Sequence, residues 1–270
     1  MVFLPILLRS KTRIHSNIML QNRIIPVLLL EDEGLVKTKK FKEPKYIGDP
    51  VNTVRIFNTK EVDEIFLLDI HASRNKIAPN FDLVSEIASE CFMPLCYGGG
   101  IRNLADAEKL FSIGVEKISI QTSALKDLNI VNQIASKFGA QAVVVSVDIK
   151  RDFFGKAKLY SSSTKDTVNT EWLNFSKSAV NAGAGEIFIN SVDKDGTLSG
   201  PDIQLVTEAA GSISTPLTYA GGVSSLNDIR NLIKAGASAV AAGAFFVFNG
   251  PNRAVLISYP RYSEIKKLFI

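Results

Sequence analysis

Two glycine-rich turns of this chain could each hold a phosphate. Tyr97-Gly98-Gly99-Gly100-Ile101 answers to Tyr219-Ala220-Gly221-Gly222-Val223 at a constant offset of 122 residues, the distance from Pro94 to Pro216. Glycine lets the backbone approach an anion closely, and a helix that follows offers free N–H groups and its dipole. A single Gly pair would suit a tight strand-to-helix turn equally well. Its repetition favours one ligand gripped at both ends. Gln121-Thr122 and Gly243-Ala244, at the ends of the next apolar runs, keep the same offset and would complete the two cups.

Several carboxylates also end apolar runs. Asp148 follows Val143-Val144-Val145-Ser146-Val147. At a strand tip it could act as a general acid or base, or it could cap a helix or pair with Lys150 or Arg151. Asp69, after Leu67-Leu68, is placed to bind a sugar hydroxyl or to orient Lys37. Ser191 and the stretch Asp193-Lys194-Asp195-Gly196-Thr197 end another run, although Asp-Gly is by itself a turn signal. His71 reads as a loop residue. At the opposite ends of alternate strands stand Arg23, Glu64, Lys117 and Glu186. Two acids and two bases there could form a charged ring or ordinary surface salt bridges.

Elements with a repeated layout must position these groups. Strand patterns fall at 23–30, 65–70, 94–97, 117–120, 142–147, 186–190, 216–219 and 237–241. The runs between them have helical spacing, as in Val84, Ile87 and Cys91 or Ile130, Ile134 and Phe138. Asn103 and Asn227 suit helix starts, Pro201 a first turn, and Gly114 and Gly236 helix C-terminal ends. Near-continuous apolar strands that alternate with helices imply a parallel sheet covered on both faces. An open doubly wound sheet is the rival. The 122-residue repeat favours an α/β fold of the (β/α)8 TIM-barrel type, built from two similar half-barrels, with its chemistry at the C-terminal strand ends.

Bulk properties narrow the class. A chain of 270 residues, 46% hydrophobic, can form one large domain with a sizeable core. Its net charge of +4 is carried by scattered residues and calls for no nucleic-acid partner. Cys91 and Cys96 suggest no disulfide scaffold, and His15 and His71 cannot alone make a metal site. No cofactor or metal is expected, no run is long enough to span a membrane, and a reducing cytoplasm is the default location. Residues 1–18 stand apart as an N-terminal extension. Their apolar stretch precedes their basic residues, the reverse of a secretory signal. They are read as a mis-assigned start upstream of Met19 or a disordered tail, with 19–270 as a single barrel domain.

From Met19 to about Phe246 the chain resembles the cyclase subunit of imidazole glycerol phosphate synthase. The resemblance rests on Arg23-Ile24-Ile25, Gly48-Asp49-Pro50-Val51, Phe66-Leu67-Leu68-Asp69-Ile70, Tyr97-Gly98-Gly99-Gly100-Ile101, Gln141-Ala142-Val143-Val144-Val145 and Asp193-Lys194-Asp195-Gly196-Thr197-Leu198-Ser199-Gly200. It implies a barrel that receives ammonia from a glutaminase docked at the bottom and binds a substrate with two phosphates at the top. It also implies an ammonia gate made of Arg23, Glu64, Lys117 and Glu186. Two aspartates are expected at the ends of the first and fifth strands. Asp148 matches the second, but Leu29 stands at the first. Ala220 replaces the usual serine of the seventh strand tip, and Asn249–Pro260 is unlike the family's last helix.

Leucine at the first position is similar to cyclase-like proteins of surface-polysaccharide clusters. Those are thought to work with a glutaminase homologue and a ligase-type amidotransferase that builds an acetamidino group on a sugar. Three readings follow. The first is an ammonia-conducting barrel for sugar amidination, with a phosphorylated small-molecule substrate. The second is a histidine-pathway cyclase, in which acid–base aspartates drive ring closure. The third is a scaffold that only activates its glutaminase.

Overall fold

The computed structural model describes residues 22–269, and the N-terminal extension read at 1–18 lies outside them. Eight parallel strands close into a barrel. They are β1 (Arg23–Glu31), β2 (Ile65–Asp69), β3 (Leu95–Gly98), β4 (Lys117–Ile120), β5 (Val143–Arg151), β6 (Glu186–Ser191), β7 (Leu217–Ala220) and β8 (Ala239–Ala242). Each pairs with the next in sequence, and β8 returns to β1 through Arg23–Ala239 to Pro26–Ala242. Closure rules out the open doubly wound sheet. All eight expected strands are present, with ends displaced by at most a few residues.

Strand period sorts the side chains into two layers. On β1, Ile24, Leu28 and Leu30 face the helices and join the larger core, while Ile25 and Val27 face inward. The inner core also holds Phe66, Cys96, Val144, Phe188, Ala239 and Ala241, with Leu29 and Leu68 packed on it. Residues in step with these along each strand therefore point into the barrel, at its bottom or its mouth. That alternation delivers Arg23 and Leu29 to opposite ends of one interior.

Caps fix where the helices begin and end. The Asn103 side chain accepts from Asp106 N, as its position implies. Its equivalent in the second half is Ser225, which accepts from Asp228 N in a capping box, and Asn227 lies inside the helix Leu226–Lys234. Asx and Ser side chains serve the same cap, so the residue type at 227 misled where the repeat offset would not. Pro201 also falls outside its helix, which starts at Ile203 behind Asp202. Gly114 and Gly236 take φ of +102° and +112° after their helices, and the bonds Val115 N to Leu110 O and Ala237 N to Leu232 O close both turns.

Two antiparallel excursions decorate the mouth. Gly34–Lys39 pairs with Lys42–Gly48 after β1, and Ala157–Ser161 pairs with Asp166–Thr167 after β5. Neither was expected, because much of each hairpin is exposed and lysine-rich and shows little apolar period. The ring centroids of Phe41 and Tyr160 lie 6.3 Å apart, so the two hairpins meet over the mouth. The end of the chain forms a small hairpin, Phe248–Asn249 with Ala254–Val255, and a last helix, Tyr262–Leu268. Tyr259 OH donates to Ile24 O at 2.9 Å, which ties this segment to the start of β1. No helix of the described residues is long and apolar enough to cross a membrane.

Candidate functional site

The main cavity opens at the C-terminal ends of the strands and holds about 1200 Å³ of empty space, its open mouth included. Lys37, Asp69, Gly99, Gln121, Thr122, Asp148, Asp195, Gly196, Gly221, Gly222, Gly243 and Ala244 all line it. Gly100, Ser191 and Thr197 do not. Gly100 N donates to Ser73 Oγ at 3.0 Å. Ser191 is buried under Gly221. The Thr197 hydroxyl donates to Lys194 O within its own turn. Sequence reading missed Ser119, Ser146 and Asn190, which line the same cavity. Ser119 stands between Lys117 and Gln121 at period two, and Ser146 stands between Val144 and Asp148, so strand alternation alone could have found them.

The two glycine turns share one geometry. Gly99 and Gly221 have φ of +113° and +111°, and Gly100 and Gly222 have +71° and +82°. A Cβ on Gly221 would lie 2.7 Å from Ser191 O, and one on Gly99 would collide with Asp69 O. Only glycine fits these positions. The result is two matched backbone cups across one cavity.

The charged groups at the mouth are buried together. Asp148 points inward, and Gln121 Nε2 donates to its Oδ2 at 2.6 Å. Burial pushes its carboxyl up to about 7, helped by the nearby Asp195 and opposed by the Gln121 hydrogen bond. It pairs with neither Lys150 nor Arg151; Arg151 Nε instead donates to Asp202 at 2.7 Å. Lys37 is buried, its amine donates to Val27 O, and burial brings its pKa down to about 8 against the pull of Asp195. Asp195, not Asp69, is thus the carboxylate beside Lys37. Asp195 also accepts from Thr38 Oγ1 at 2.8 Å, and its backbone carbonyl accepts from Lys40 N, which draws the first hairpin over the mouth. Asp69 is occupied by the N–H groups of His71 and Ala72 at 2.9 and 2.8 Å, and burial raises its pKa. His71 sits in the loop, 3.5 Å from Asp32.

At the opposite end Arg23, Glu64, Lys117 and Glu186 do form a closed ring. Arg23 bonds Glu64, and it bonds Glu186 at 2.9 Å. Lys117 Nζ lies 2.8 Å from Glu64 and 3.2 Å from Glu186. Both glutamates are almost fully buried, so these are not surface pairs. Burial raises the Glu64 carboxyl. For Glu186 the burial penalty is outweighed by Arg23, Lys117 and the Thr218 hydroxyl, and its pKa is lowered. Between ring and mouth lie Ile25, Phe66, Cys96, Val144 and Phe188, then the hydroxyl pair Ser119–Ser146 at 2.6 Å. No cluster of three or more His, Cys, Asp or Glu suited to a metal occurs among the described residues.

A closed half-duplicated barrel with two matched glycine cups and a four-residue charged ring is a narrow combination. Residues 23–250 match the family described as histidine biosynthesis protein. The chain belongs to this family. It is 51% identical over 248 residues to a protein of Pseudomonas aeruginosa provisionally named imidazole glycerol phosphate synthase subunit hisF2, covering 92% of this chain and 99% of that one. It is 44% identical over 254 residues to the provisionally named subunit hisF3 of Vibrio vulnificus, covering 92% and 96%. Imidazole glycerol phosphate synthase subunit HisF of Dictyoglomus thermophilum is 39% identical over 230 residues, covering 85% and 91%. In this member of the family Leu29 faces the cavity beside Val27 and Leu68. Among the cavity-lining residues of β1 there is no carboxylate.

Proposed function

We propose that this chain is the ammonia-using, cyclase-type barrel subunit of a glutamine amidotransferase pair, and that its ammonia acceptor is not the histidine-pathway one. A glutaminase subunit docks at the ring end. Ammonia passes Arg23, Glu64, Lys117 and Glu186 and crosses the apolar interior. The acceptor lies between the two glycine cups, with Gln121, Thr122, Gly243 and Ala244 on its phosphates and Lys37, Asp69 and Asp195 at its rim. Asp148, held near neutrality by burial, is the single proton-transfer group and serves as general acid toward a leaving group or as stabiliser of a developing cation.

Leu29 carries this reading. It faces the mouth from β1, as Asp148 does from β5, and a leucine cannot move a proton. Losing one positioned acid or base typically costs about 10²–10⁴ in rate, which is large for a dedicated cyclase. The acceptor chemistry implied by the resemblance is acetamidino formation on a surface-polysaccharide sugar, with a ligase-type amidotransferase as further partner. The names of the relatives favour a second reading, a histidine-pathway cyclase, and the intact cups and Asp148 are compatible with it.

Turnover of the histidine-pathway ribulose-phosphate substrate separates the two. With saturating ammonium salt no glutaminase is needed, so the assay reports barrel chemistry alone. The wild-type chain is expected to form no imidazole product, and Leu29→Asp is expected to gain measurable turnover. Robust wild-type turnover would overturn the proposal in favour of the second reading.

A further inference from the structure

The hairpin that β5 forms with Ala157–Ser161 holds two phenylalanines out into solvent at its turn. Phe153 and Phe154 are 97% and 91% exposed, the highest values for any large apolar side chain among the described residues. Their rings meet edge-on, with centroids 5.5 Å apart. The turn beneath them is fully bonded. Asp152 Oδ1 accepts from Phe154 N and Lys156 N at 3.0 and 2.9 Å. Arg151 Nη1 donates to Gly155 O at 2.6 Å, while its Nε is anchored on Asp202. These bonds fix the backbone that carries the two rings, which lowers the ordering cost of binding. Solvated aromatic pairs on a fixed turn have the character of interface anchors.

The charges around the pair indicate what would cover it. Lys150 and Lys158 stand directly opposite each other in the hairpin, and Lys39 and Lys42 do the same in the neighbouring one. Like charges in register across a strand pair destabilise it. None of these four lysines has a carboxylate partner among the described residues. The two hairpins touch through Phe41 and Tyr160, so their charges form one basic rim at the mouth. An acidic surface would relieve that repulsion and be steered to the site.

We infer that the mouth face of the barrel docks an acidic protein surface, with Phe153 and Phe154 filling an apolar pocket on it and Lys150 and Lys158 meeting its carboxylates. A protein pocket can take the two rings alone. The Asp152 carboxylate, one residue before the pair, disfavours an anionic bilayer surface at the same turn. The surface lies at the opposite end from the Arg23–Glu186 ring and is independent of which acceptor the cavity serves.

The test places a photo-crosslinking benzoyl-phenylalanine at position 154 of the full chain, expressed in its source cells. One discrete protein adduct is expected, cross-linked through an acidic peptide of the partner. Its yield is expected to fall about tenfold or more in Lys150→Glu/Lys158→Glu, with the melting temperature unchanged. The inference fails if no protein adduct forms, or if the adduct survives charge reversal undiminished. It also fails if the probe labels lipid and the chain co-sediments with phosphatidylglycerol-containing vesicles through Phe153 and Phe154.

Discussion

Leu29 and Asp148 occupy related tips of the two half-barrels, and one is apolar while the other titrates near neutral pH. The buried carboxyl of Asp148 has a cost that depends on pH. Its pKa is about 7 in the folded chain against 3.8 for the free side chain. Below about pH 3, under both pKa values, the group is protonated in both states and costs nothing. As pH climbs to about 7 the unfolded chain ionises freely while the folded one resists, so stability falls. Asp148→Asn is expected to remove that slope. It should be about 2–4 kcal/mol more stable than wild type near pH 8 and equally stable near pH 3, by urea titration. Equal wild-type and variant stability at both pH values would mean that Asp148 is solvated. The residue itself was legible because it ends the run Val143–Val147, apolar but for Ser146. Its Gln121 partner was assigned to the phosphate cups, since no rule of spacing joins strand tips 27 residues apart.

Strand, turn and helix work as one unit in each half, and the glycines set its shape. Gly221→Ala combines φ of +111° with a Cβ 2.7 Å from Ser191 O. It is expected to cost more than about 2 kcal/mol and to abolish inorganic phosphate binding by calorimetry. Gly155→Ala has φ of +80° but nothing within 4 Å of the new Cβ. It should cost about 1 kcal/mol and leave phosphate binding unchanged. Similar losses in both variants would reduce the cup to backbone strain alone. Both cups were legible because a duplicated segment gives two independent sightings of one turn. The mouth hairpins were not. Lys39, Lys40 and Lys42 carry no apolar alternation, and in Gly34–Lys39 the buried residues Leu35, Val36, Lys37 and Thr38 are consecutive rather than alternating, so no strand period shows.

Across the whole molecule the barrel separates two charged ends by an apolar interior. The lower ring has a measurable signature. Glu186→Gln leaves Arg23 and Lys117 competing for Glu64, and it is expected to cost about 3–5 kcal/mol in urea unfolding, as for a broken buried pair. A cost under about 1 kcal/mol would return the ring to the class of surface salt bridges. By itself the sequence determined the eight strands, their doubling and the two glycine turns, and it set Arg23, Glu64, Lys117 and Glu186 at strand starts while leaving a ring and surface salt bridges both open. These follow from local rules, namely apolar period, turn chemistry and a repeat offset that any reader of the chain can count. Only the tertiary structure decided that the sheet closes, that four charges 41 to 163 residues apart bond to one another, and that Lys37 answers to Asp195. Such pairings depend on which strand ends share a rim. Sequence spacing does not encode that, because closure of the barrel brings Ala242 back to Pro26.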